Sequence, residues 1–254
     1  MTGRIDFNCD MGESFGAYSL GLDAEIIKYI TSANVACGFH AGDPQVMRRT
    51  VALAEARGVG IGAHPSFPDL QGFGRRNMAV SPAEARNDIV YQIGALTAFT
   101  RARKLQHVKP HGALYNMAVG GGELARAISE AVLEVDPDLI LLALAGSAYA
   151  EVARSMGVRV AREAFADRAF NADGSLVPRS KPGAVIHDVE KVVERSLRIA
   201  TEGTAVAMTG EVIPMAADTI CLHGDTPGAV SLAAELRARL ERAGVQLVPL
   251  AQLV

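Results

Sequence analysis

Residues 34–64, NVACGFHAGDPQVMRRTVALAEARGVGIGAH, contain a strand–helix–strand unit that indicates how the whole chain folds. The apolar runs at its two ends, residues 34–37 and 59–63, are typical of buried strands. Asp43 predicts the helix start, because its carboxylate accepts from free backbone N–H groups and the proline after it has no N–H to satisfy. Gly58 supplies the left-handed residue that ends many helices. Two strands joined by a crossover helix predict a parallel sheet.

The same alternation of strands and helices runs along the rest of the chain. Strand-like runs are predicted at residues 5–9, 34–37, 59–63, 107–110, 139–144, 158–163, 219–223 and 245–249. About seven amphipathic stretches separate them, and this count favours a closed barrel over an open sheet. We therefore predict an α/β fold, a distorted or incomplete (βα) TIM-like barrel of about seven to eight parallel strands. Because no linker or internal repeat is visible, residues 1–254 are interpreted as a single β/α-barrel domain.

Two segments fall outside this repeat. Residues 204–208 and 212–215 are strand-like and are separated by a turn sequence, so they are predicted to form a hairpin. Residues 169–183 are rich in Asn, Asp, Gly, Pro and Ser, which predicts a long loop and a candidate lid over the site.

Composition limits the classes of function. The 254 residues carry 25 Lys and Arg against 28 Asp and Glu, a formal net charge of −3, so no polybasic surface for nucleic acid or anionic lipid is expected. No apolar run approaches the ~18 residues of a membrane span, and the N-terminal segment lacks the apolar stretch of a signal peptide. We therefore expect a cytoplasmic protein without nucleic-acid or membrane partners. Three separated cysteines exclude a disulfide scaffold and a thiolate zinc site.

Histidines follow the predicted strand ends. Four of the six lie there, close to Gly or Pro: His40, His64, His111 and His223. In a β/α barrel the carboxyl ends of the strands share one rim, where enzymes of this architecture build their sites. The pattern therefore predicts that the four imidazoles converge on one pocket and that the protein is an enzyme. For each of them the alternative is a buried imidazole that holds a loop carbonyl.

Charged side chains occur at the same strand ends. Asp10 and Glu13 can serve in acid–base catalysis or hold a metal, and the alternative is a network that stabilises a loop. Lys109 can bind an anion or pair with a carboxylate of a neighbouring strand. Asp43 and Asp225 both lie at helix starts, so an N-cap is the alternative to a role in the site.

Sequence motifs for nucleotide binding are missing. The chain has no GxxxxGK[ST] loop, and residues 72–76, GFGRR, lack the third glycine of a dinucleotide fingerprint. The HExxH motif is also absent. If the protein uses ATP, its ATP site is non-standard or belongs to a partner.

Six ordered motifs together resemble a known family. They are NCDMGESFG (8–16), NVACGFHAGDP (34–44), GIGAHPSFPDLQGFGRR (60–76), VKPHGALYN (108–116), EAFADRAF (163–170) and CLHGDTPGA (221–229). Their order and sequence resemble the LamB/YcsF family, the A subunits of bacterial 5-oxoprolinase complexes. The resemblance extends over essentially the whole chain.

The resemblance implies a distorted β/α barrel related to the sugar-deacetylase barrels. It also implies ATP-dependent hydrolytic opening of 5-oxo-L-proline (pyroglutamate) to L-glutamate, carried out with MgATP and with B and C subunits. Phosphorylation of the lactam oxygen would give an imidate phosphate that water can attack. A histidine or carboxylate would take the proton of water, another would protonate the leaving nitrogen, and Lys or Arg would stabilise negative charge.

Roles are expected for the following residues. The catalytic candidates are Asp10, Glu13, His40, His64, Lys109, His111 and His223, with His64 and His111 as acid or base candidates. The candidates for contacts to substrate or phosphate are Asn8, Asp43, Arg75, Arg76, Glu163, Arg168, Lys181 and Asp225. An additional divalent metal is left open, with the candidate ligands Asp10, His40, His64 and His223.

Two other functions remain open at this point. One is a metal-dependent amidohydrolase or deacetylase that acts alone, which the His and Asp residues at the strand ends would suit. The other is a non-catalytic subunit that only binds a ligand for its partners. Homo-oligomerisation is also left open.

Overall fold

The computed structural model describes residues 3–224 and 228–254. Its strands are β1 (Arg4–Met11), β2 (Ser32–Ala36), β3 (Gly60–His64), β4 (His107–Val108), β5 (Ile140–Leu144), β6 (Arg159–Phe165), β7 (Thr204–Val206), β8 (Val212–Pro214), β9 (Thr219–Leu222) and β10 (Gln246–Leu247). In this part of the chain, seven parallel strands close a barrel in the order β1-β2-β3-β4-β5-β6-β9, with β9 pairing back to β1. The predicted TIM-like barrel is therefore confirmed.

The helices lie between the strands. They are α1 (Asp23–Ile26), α2 (Pro44–Arg57), α3 (Pro82–Thr97), α4 (Gly112–Ala118), α5 (Gly122–Val135), α6 (Ala148–Ser155), α7 (Val189–Glu202) and α8 (Ala229–Arg242), followed by a 3₁₀ turn at Leu250–Gln252. The predicted start of α2 is confirmed, since Asp43 accepts from the N–H groups of Gln45 (2.8 Å) and Val46 (3.1 Å). Gly58 ends this helix with a φ of 66°. Each helix in the described ranges is too short or too polar to cross a bilayer.

The last predicted strand does not enter the barrel wall. β10 pairs with β1 only at Arg4 and Ile5, before the residues of β1 that pair with β9 (from Asp6) and with β2 (from Asn8). The closed barrel formed by the described residues therefore has seven strands rather than eight. The predicted hairpin is confirmed as the antiparallel pair β7–β8, which stands apart from the barrel sheet.

The interior of the barrel is polar along β1. Asp6, Asn8 and Asp10 alternate with apolar residues, so their side chains share one face of the strand. The Asn8 amide donates across the interior to Thr219 Oγ1 on β9 (2.7 Å) and to Glu163 Oε1 on β6 (3.2 Å). The other face of β1 packs against the surrounding helices. Strand alternation therefore separates an apolar outer core from a hydrogen-bonded interior.

Asp6 lies deep in this interior. It accepts hydrogen bonds from the hydroxyls of Thr31 (2.7 Å), Ser32 (2.6 Å) and Thr219 (2.6 Å). Burial nevertheless raises the pKa of Asp6 to about 6, above the value of about 4 expected in the unfolded chain. Folding therefore favours the protonated acid. The stability that Asp6 contributes is present below about pH 4 and is lost as the pH rises through about 6.

We expect the substitution Asp6→Asn to remove this pH dependence. Between pH 4 and pH 7.5 the wild type should lose about 2–3 kcal/mol of unfolding free energy relative to the variant. Urea unfolding of both proteins at several pH values measures the difference. Asp138→Asn, at an exposed position, is the control and should leave the wild-type profile unchanged. Parallel profiles for wild type and Asp6→Asn would contradict the prediction.

Candidate functional site

A cavity of about 530 Å³ opens at the carboxyl ends of the barrel strands. Several of the candidate residues line it: Asp10, Glu13, His64, Arg75, Lys109, His111, Arg168 and His223. They come from different strand ends and from the loops that follow them. This is the rim on which β/α-barrel enzymes place their catalytic groups.

Lys109 lies at the bottom of the cavity and is 3% exposed. Its ammonium contacts Asp10 Oδ1 on β1 (2.8 Å) and Glu163 Oε1 on β6 (3.0 Å). Burial disfavours the charged amine, but the two carboxylates outweigh it and hold the pKa of Lys109 well above its usual value. Lys109 also approaches the buried thiol of Cys221 (3.0 Å). The cation is thus neutralised within the protein and ties three strands together.

Asp10 connects this cation to the histidines. Its second oxygen, Oδ2, lies 3.4 Å from His64 Nε2. Burial opposes the charge of Asp10, but His64 and Lys109 outweigh it and hold the pKa of Asp10 well below its usual value. Asn34 on β2 donates to Asp10 Oδ1 (2.9 Å), and His107 Nε2 donates in turn to Asn34 Oδ1 (2.7 Å). Asp10 is therefore held as a carboxylate in a fixed orientation.

His64 and His111 face each other through one ring nitrogen each. His64 Nδ1 donates to the Lys109 carbonyl (2.6 Å), and His111 Nε2 donates to the Phe73 carbonyl (2.9 Å). These bonds fix the far nitrogens as donors, because a carbonyl oxygen can only accept. The near nitrogens, His64 Nε2 and His111 Nδ1, are 2.9 Å apart. Two lone pairs would repel at this distance, so the pair holds either one shared proton or a cation between the rings.

His40 and Glu13 complete this cluster. The ring of His40 stacks on that of His111, with centroids 3.8 Å apart. His40 Nε2 donates to Glu13 Oε1 (3.1 Å), and the same oxygen lies 3.4 Å from His111 Nδ1. Burial, with the charge of His64 nearby, holds the pKa of His40 well below its usual value. In the same way burial and the neighbouring imidazoles lower the pKa of His111. The rings of His40 and His111 are therefore kept neutral, although they lie beside the carboxylate of Glu13.

His223 belongs to a second cluster on the same cavity. Its Nδ1 donates to the Asp167 carboxylate, with distances of 3.0 and 2.9 Å to the two oxygens. Its Nε2 therefore carries the lone pair, and it accepts from Arg179 Nη2 (2.8 Å). The His223 ring stacks on Phe165, with centroids 5.8 Å apart. This imidazole is oriented by a carboxylate on one side and covered by a guanidinium on the other.

The four candidate metal ligands predicted from sequence fall into two groups. Glu13, His40, His64 and His111 each offer a ligand atom within 4.8 Å of the others. Asp10 and His223 instead form a group with Cys221. The structure thus brings His40 and His64 together with Glu13 and His111, and it places His223 elsewhere in the cavity.

The predicted anion contacts have different positions. Arg168 lines the cavity, but it donates to the carbonyls of Val177 (2.7 Å) and Ala184 (3.3 Å), and it therefore braces a loop. Arg75 lies over the Phe73 ring at the mouth of the cavity.

Further candidates lie away from the cavity wall. Arg76 pairs with Asp69, and Asp43 caps α2. Asn8 and Glu163 belong to the barrel interior. Lys181 is exposed and outside the lining that the described residues form. Asp225 lies outside the described residues.

Sequence reasoning missed several residues of the site. Asp167 and Arg179 position His223, and Tyr115 contributes a phenol to the wall of the cavity. Burial, with the Glu163 carboxylate nearby, raises the pKa of Tyr115 well above its usual value. The motif EAFADRAF places Asp167 directly after β6, which is a detectable signal. Arg179 lies in an irregular loop that carries no such signal.

These observations define an α/β-barrel protein with an enzyme-like cavity at the carboxyl ends of its strands. The particular family is also clear, because residues 5–254 match the LamB/YcsF family, and the chain belongs to it. The A subunit of 5-oxoprolinase from Pyrococcus furiosus is 58% identical over 253 residues, which cover 99% of both chains.

Solved structures agree with this assignment. The lactam utilization protein from Thermus thermophilus is similar with a TM-score of 0.91 and 50% identity, covering 96% of this chain and 99% of that one. A family 4 carbohydrate esterase from Streptomyces lividans is similar with a TM-score of 0.51 and 10% identity, covering 96% of this chain and 91% of the esterase. This second likeness shows the barrel fold alone.

Gly74 allows the histidine cluster to assemble. A Cβ atom at this position would overlap the hydroxyl of Ser66 and lie 2.8 Å from the His111 ring and 3.0 Å from His40 Cβ. Its φ is 64°, a left-handed conformation that glycine adopts without cost. The loop carrying Gly74 can therefore approach the two imidazoles only because it lacks a side chain there.

We expect Gly74→Ala to destabilise the protein by about 2–4 kcal/mol, because the strain of an alanine in the left-handed conformation adds to the cost of overpacking around its methyl group. Gly58→Ala is the matched control, since Gly58 has a φ of 66° but open space around its Cα. The control should cost only about 1 kcal/mol for the strained conformation. Urea unfolding measures the unfolding free energy of both variants. Equal losses of unfolding free energy in the two would contradict the prediction that a side chain at position 74 is crowded by its neighbours.

Proposed function

We propose that this chain is the A subunit of a 5-oxoprolinase, which opens 5-oxo-L-proline to L-glutamate with MgATP and partner B and C subunits in the cytoplasm. The observation that carries the proposal is the 58% identity to the A subunit of an archaeal 5-oxoprolinase over 99% of both chains. The similarity to a lactam utilization protein supports it, since 5-oxoproline is a lactam.

Opening of the ring needs an activated amide and two proton transfers. The γ-phosphoryl group passes from ATP to the lactam oxygen, and ADP leaves. The oxygen of water then bonds to the ring carbonyl carbon while a base takes its proton. The carbon–nitrogen bond breaks as an acid protonates the nitrogen, and an acyl phosphate remains at the former ring carbon. A second water molecule hydrolyses this acyl phosphate and supplies the second carboxylate oxygen, while phosphate leaves with the former lactam oxygen. The products are L-glutamate, ADP and phosphate.

The His64–His111 pair fits the role of the acid. A proton held between the two near nitrogens lies at the surface of the cavity, because both residues line it. Asp10 and Glu13 flank this position with carboxylate oxygens 3.4 Å from His64 Nε2 and from His111 Nδ1. They stabilise a positive charge on the pair before the proton is transferred. Delivery of this proton to the ring nitrogen would complete the opening of the lactam.

The positive charges around the cavity suit the phosphorylated intermediate. Arg75 and Arg168 lie in its wall and could stabilise the negative charge that develops on phosphate and oxygen. The sequence contains no GxxxxGK[ST] loop, so we propose that ATP binds in a non-standard site or one shared with the B and C subunits. Association of several copies of this chain would be compatible with this arrangement.

The test is glutamate formation from 5-oxo-L-proline and MgATP. The chain is assayed alone, with verified B and C partners, and with the partners but without ATP. Glutamate only in the complete mixture supports an obligate subunit of an ATP-dependent enzyme. No glutamate from correctly associated partners would refute the proposal.

Replacing His111 with Ala should abolish turnover while the protein remains folded. The variant loses one of the two nitrogens that hold the proton, and general acid catalysis typically contributes about 10²–10⁴-fold. Steady-state glutamate formation measures the loss, and circular dichroism checks the fold. His187→Ala, at an exposed histidine outside the cavity, should retain wild-type activity. Near-normal turnover by His111→Ala would remove this residue from the mechanism.

A metal-dependent amidohydrolase is the second candidate function. The specific observation that favours it is the convergence of ring lone pairs at 2.9 Å, since a divalent cation would satisfy them as well as a proton does. Glu13, His40, His64 and His111 would hold such an ion. A bound divalent ion would supply a Lewis acid and an acidic water.

The two candidates predict different metal behaviour. The 5-oxoprolinase proposal expects ATP-dependent glutamate formation that persists after chelation and restoration of Mg²⁺ alone. The amidohydrolase predicts stoichiometric Zn²⁺, Mn²⁺ or Co²⁺ in the purified chain and hydrolysis of amides without ATP. Elemental analysis together with assays of chelated and reloaded protein distinguishes them. ATP-independent hydrolysis that follows metal content would favour the second candidate.

A further inference from the structure

Arg179 lies at the edge of the cavity, where its guanidinium contacts His223. Arg179 donates to His223 Nε2 at 2.8 Å, a neutral nitrogen whose ring is already oriented by Asp167. Among the described residues, no carboxylate lies within ion-pair distance of Arg179. His223 Nε2 offers a guanidinium one neutral lone pair, whereas a carboxylate offers a negative charge and can accept two parallel N–H bonds. An anion that enters the cavity would therefore compete well for Arg179.

Two other cations of the cavity, Lys109 and Arg168, are held by the protein itself. Lys109 is neutralised by Asp10 and Glu163, and Arg168 is bound to two backbone carbonyls. Arg179 differs from these two because it is exposed, and it lies in the irregular segment 169–183. The backbone near Arg179 is nevertheless anchored beside the cavity, since Arg168 donates a hydrogen bond to the carbonyl of Val177, two residues earlier. Arg179 can thus change partner without disturbing the barrel.

The wall beside Arg179 is largely apolar. Leu176, Val177 and Pro178 precede it in the lining, and Phe165 lies opposite, stacked on His223. This surface suits a small ring with methylene groups and a single carboxylate. A polyphosphate chain would gain little from such a wall and would need more donors than one guanidinium provides.

We propose that Arg179 recognises the α-carboxylate of 5-oxo-L-proline and that it releases His223 Nε2 when it does so. This inference rests on the proposed function and names the residue that selects the substrate. In the free protein Arg179 covers the free nitrogen of an imidazole that Asp167 holds in place. The carboxylate of the substrate draws the guanidinium away, and His223 Nε2 then faces the bound ring. A lactam without a carboxylate leaves Arg179 on His223.

The test compares Arg179→Met and Arg179→Lys with wild type in the complete complex with its partner subunits. The substrates are 5-oxo-L-proline and its carboxamide, which keeps the ring but lacks the negative charge. Arg179→Met should raise the KM for 5-oxo-L-proline by about 100-fold, because a charge-assisted bidentate pair is lost. Arg179→Lys should recover part of the loss, since it keeps the charge without the fork. The preference for acid over amide should collapse in Arg179→Met.

Two controls separate this role from others. Arg154→Met makes the same chemical change on the exposed side of α6 and should keep wild-type constants. The KM for MgATP should stay unchanged in Arg179→Met, and a rise in that constant alone would assign Arg179 to phosphate and overturn the proposal. Titration calorimetry with 5-oxo-L-proline checks binding without turnover.

Failure of this inference and failure of the proposed function give different results. A wild-type complex that makes glutamate, together with an Arg179→Met complex of unchanged KM and unchanged acid preference, would overturn the role of Arg179 alone. A wild-type complex that makes no glutamate and a chain that does not bind 5-oxo-L-proline would overturn both.

Discussion

Lys109 is the residue on which both the barrel and the site depend. Its ammonium neutralises Asp10 on β1 and Glu163 on β6, and its backbone carbonyl accepts a hydrogen bond from His64 Nδ1. Removal of this cation would leave the buried carboxylates of Asp10 and Glu163 without the ammonium that neutralises them, which typically costs several kcal/mol. One residue therefore holds strands on opposite sides of the barrel and fixes the tautomer of a histidine at its rim.

The chemistry of the cavity follows from this constraint. The far nitrogens of His64 and His111 donate to backbone carbonyls. The near nitrogens therefore have to share a proton or a metal cation that lies between them. The carboxylates of Asp10 and Glu13 surround that position and favour a cation. A barrel with a polar interior can thus concentrate one mobile proton at the place where a lactam nitrogen would be released. The second cluster, around His223, remains covered by Arg179 until an anion arrives.

Particular residues show how far sequence reasoning reaches. Strand and helix periodicity predicts the barrel. The strand-end rule predicts that His40, His64, His111 and His223 share a cavity, because parallel strands present their carboxyl ends at one rim. Three of them line it, whereas His40 is buried against the ring of His111 and is not part of the lining that the described residues form. The contact between His64 and His111 cannot be read from sequence, since it depends on the close approach of the loop at Gly74. Arg179 is equally hidden, because its loop has no periodicity. The predicted strand at residues 245–249 forms as the short β10, but it pairs with β1 only at Arg4 and Ile5, so the closed barrel of the described residues has seven of the predicted seven to eight strands.

The most direct test of the central claim is nitrogen-15 NMR of the imidazole rings in chelator-treated protein near neutral pH. The structure predicts protonated Nδ1 in His64, protonated Nε2 in His111, and one further proton shared between the two near nitrogens. Substitution of His64 by Gln should remove the shared-proton signal and leave the His111 Nε2 proton in place. Two imidazoles with a single proton each, and no proton between them, would contradict the account.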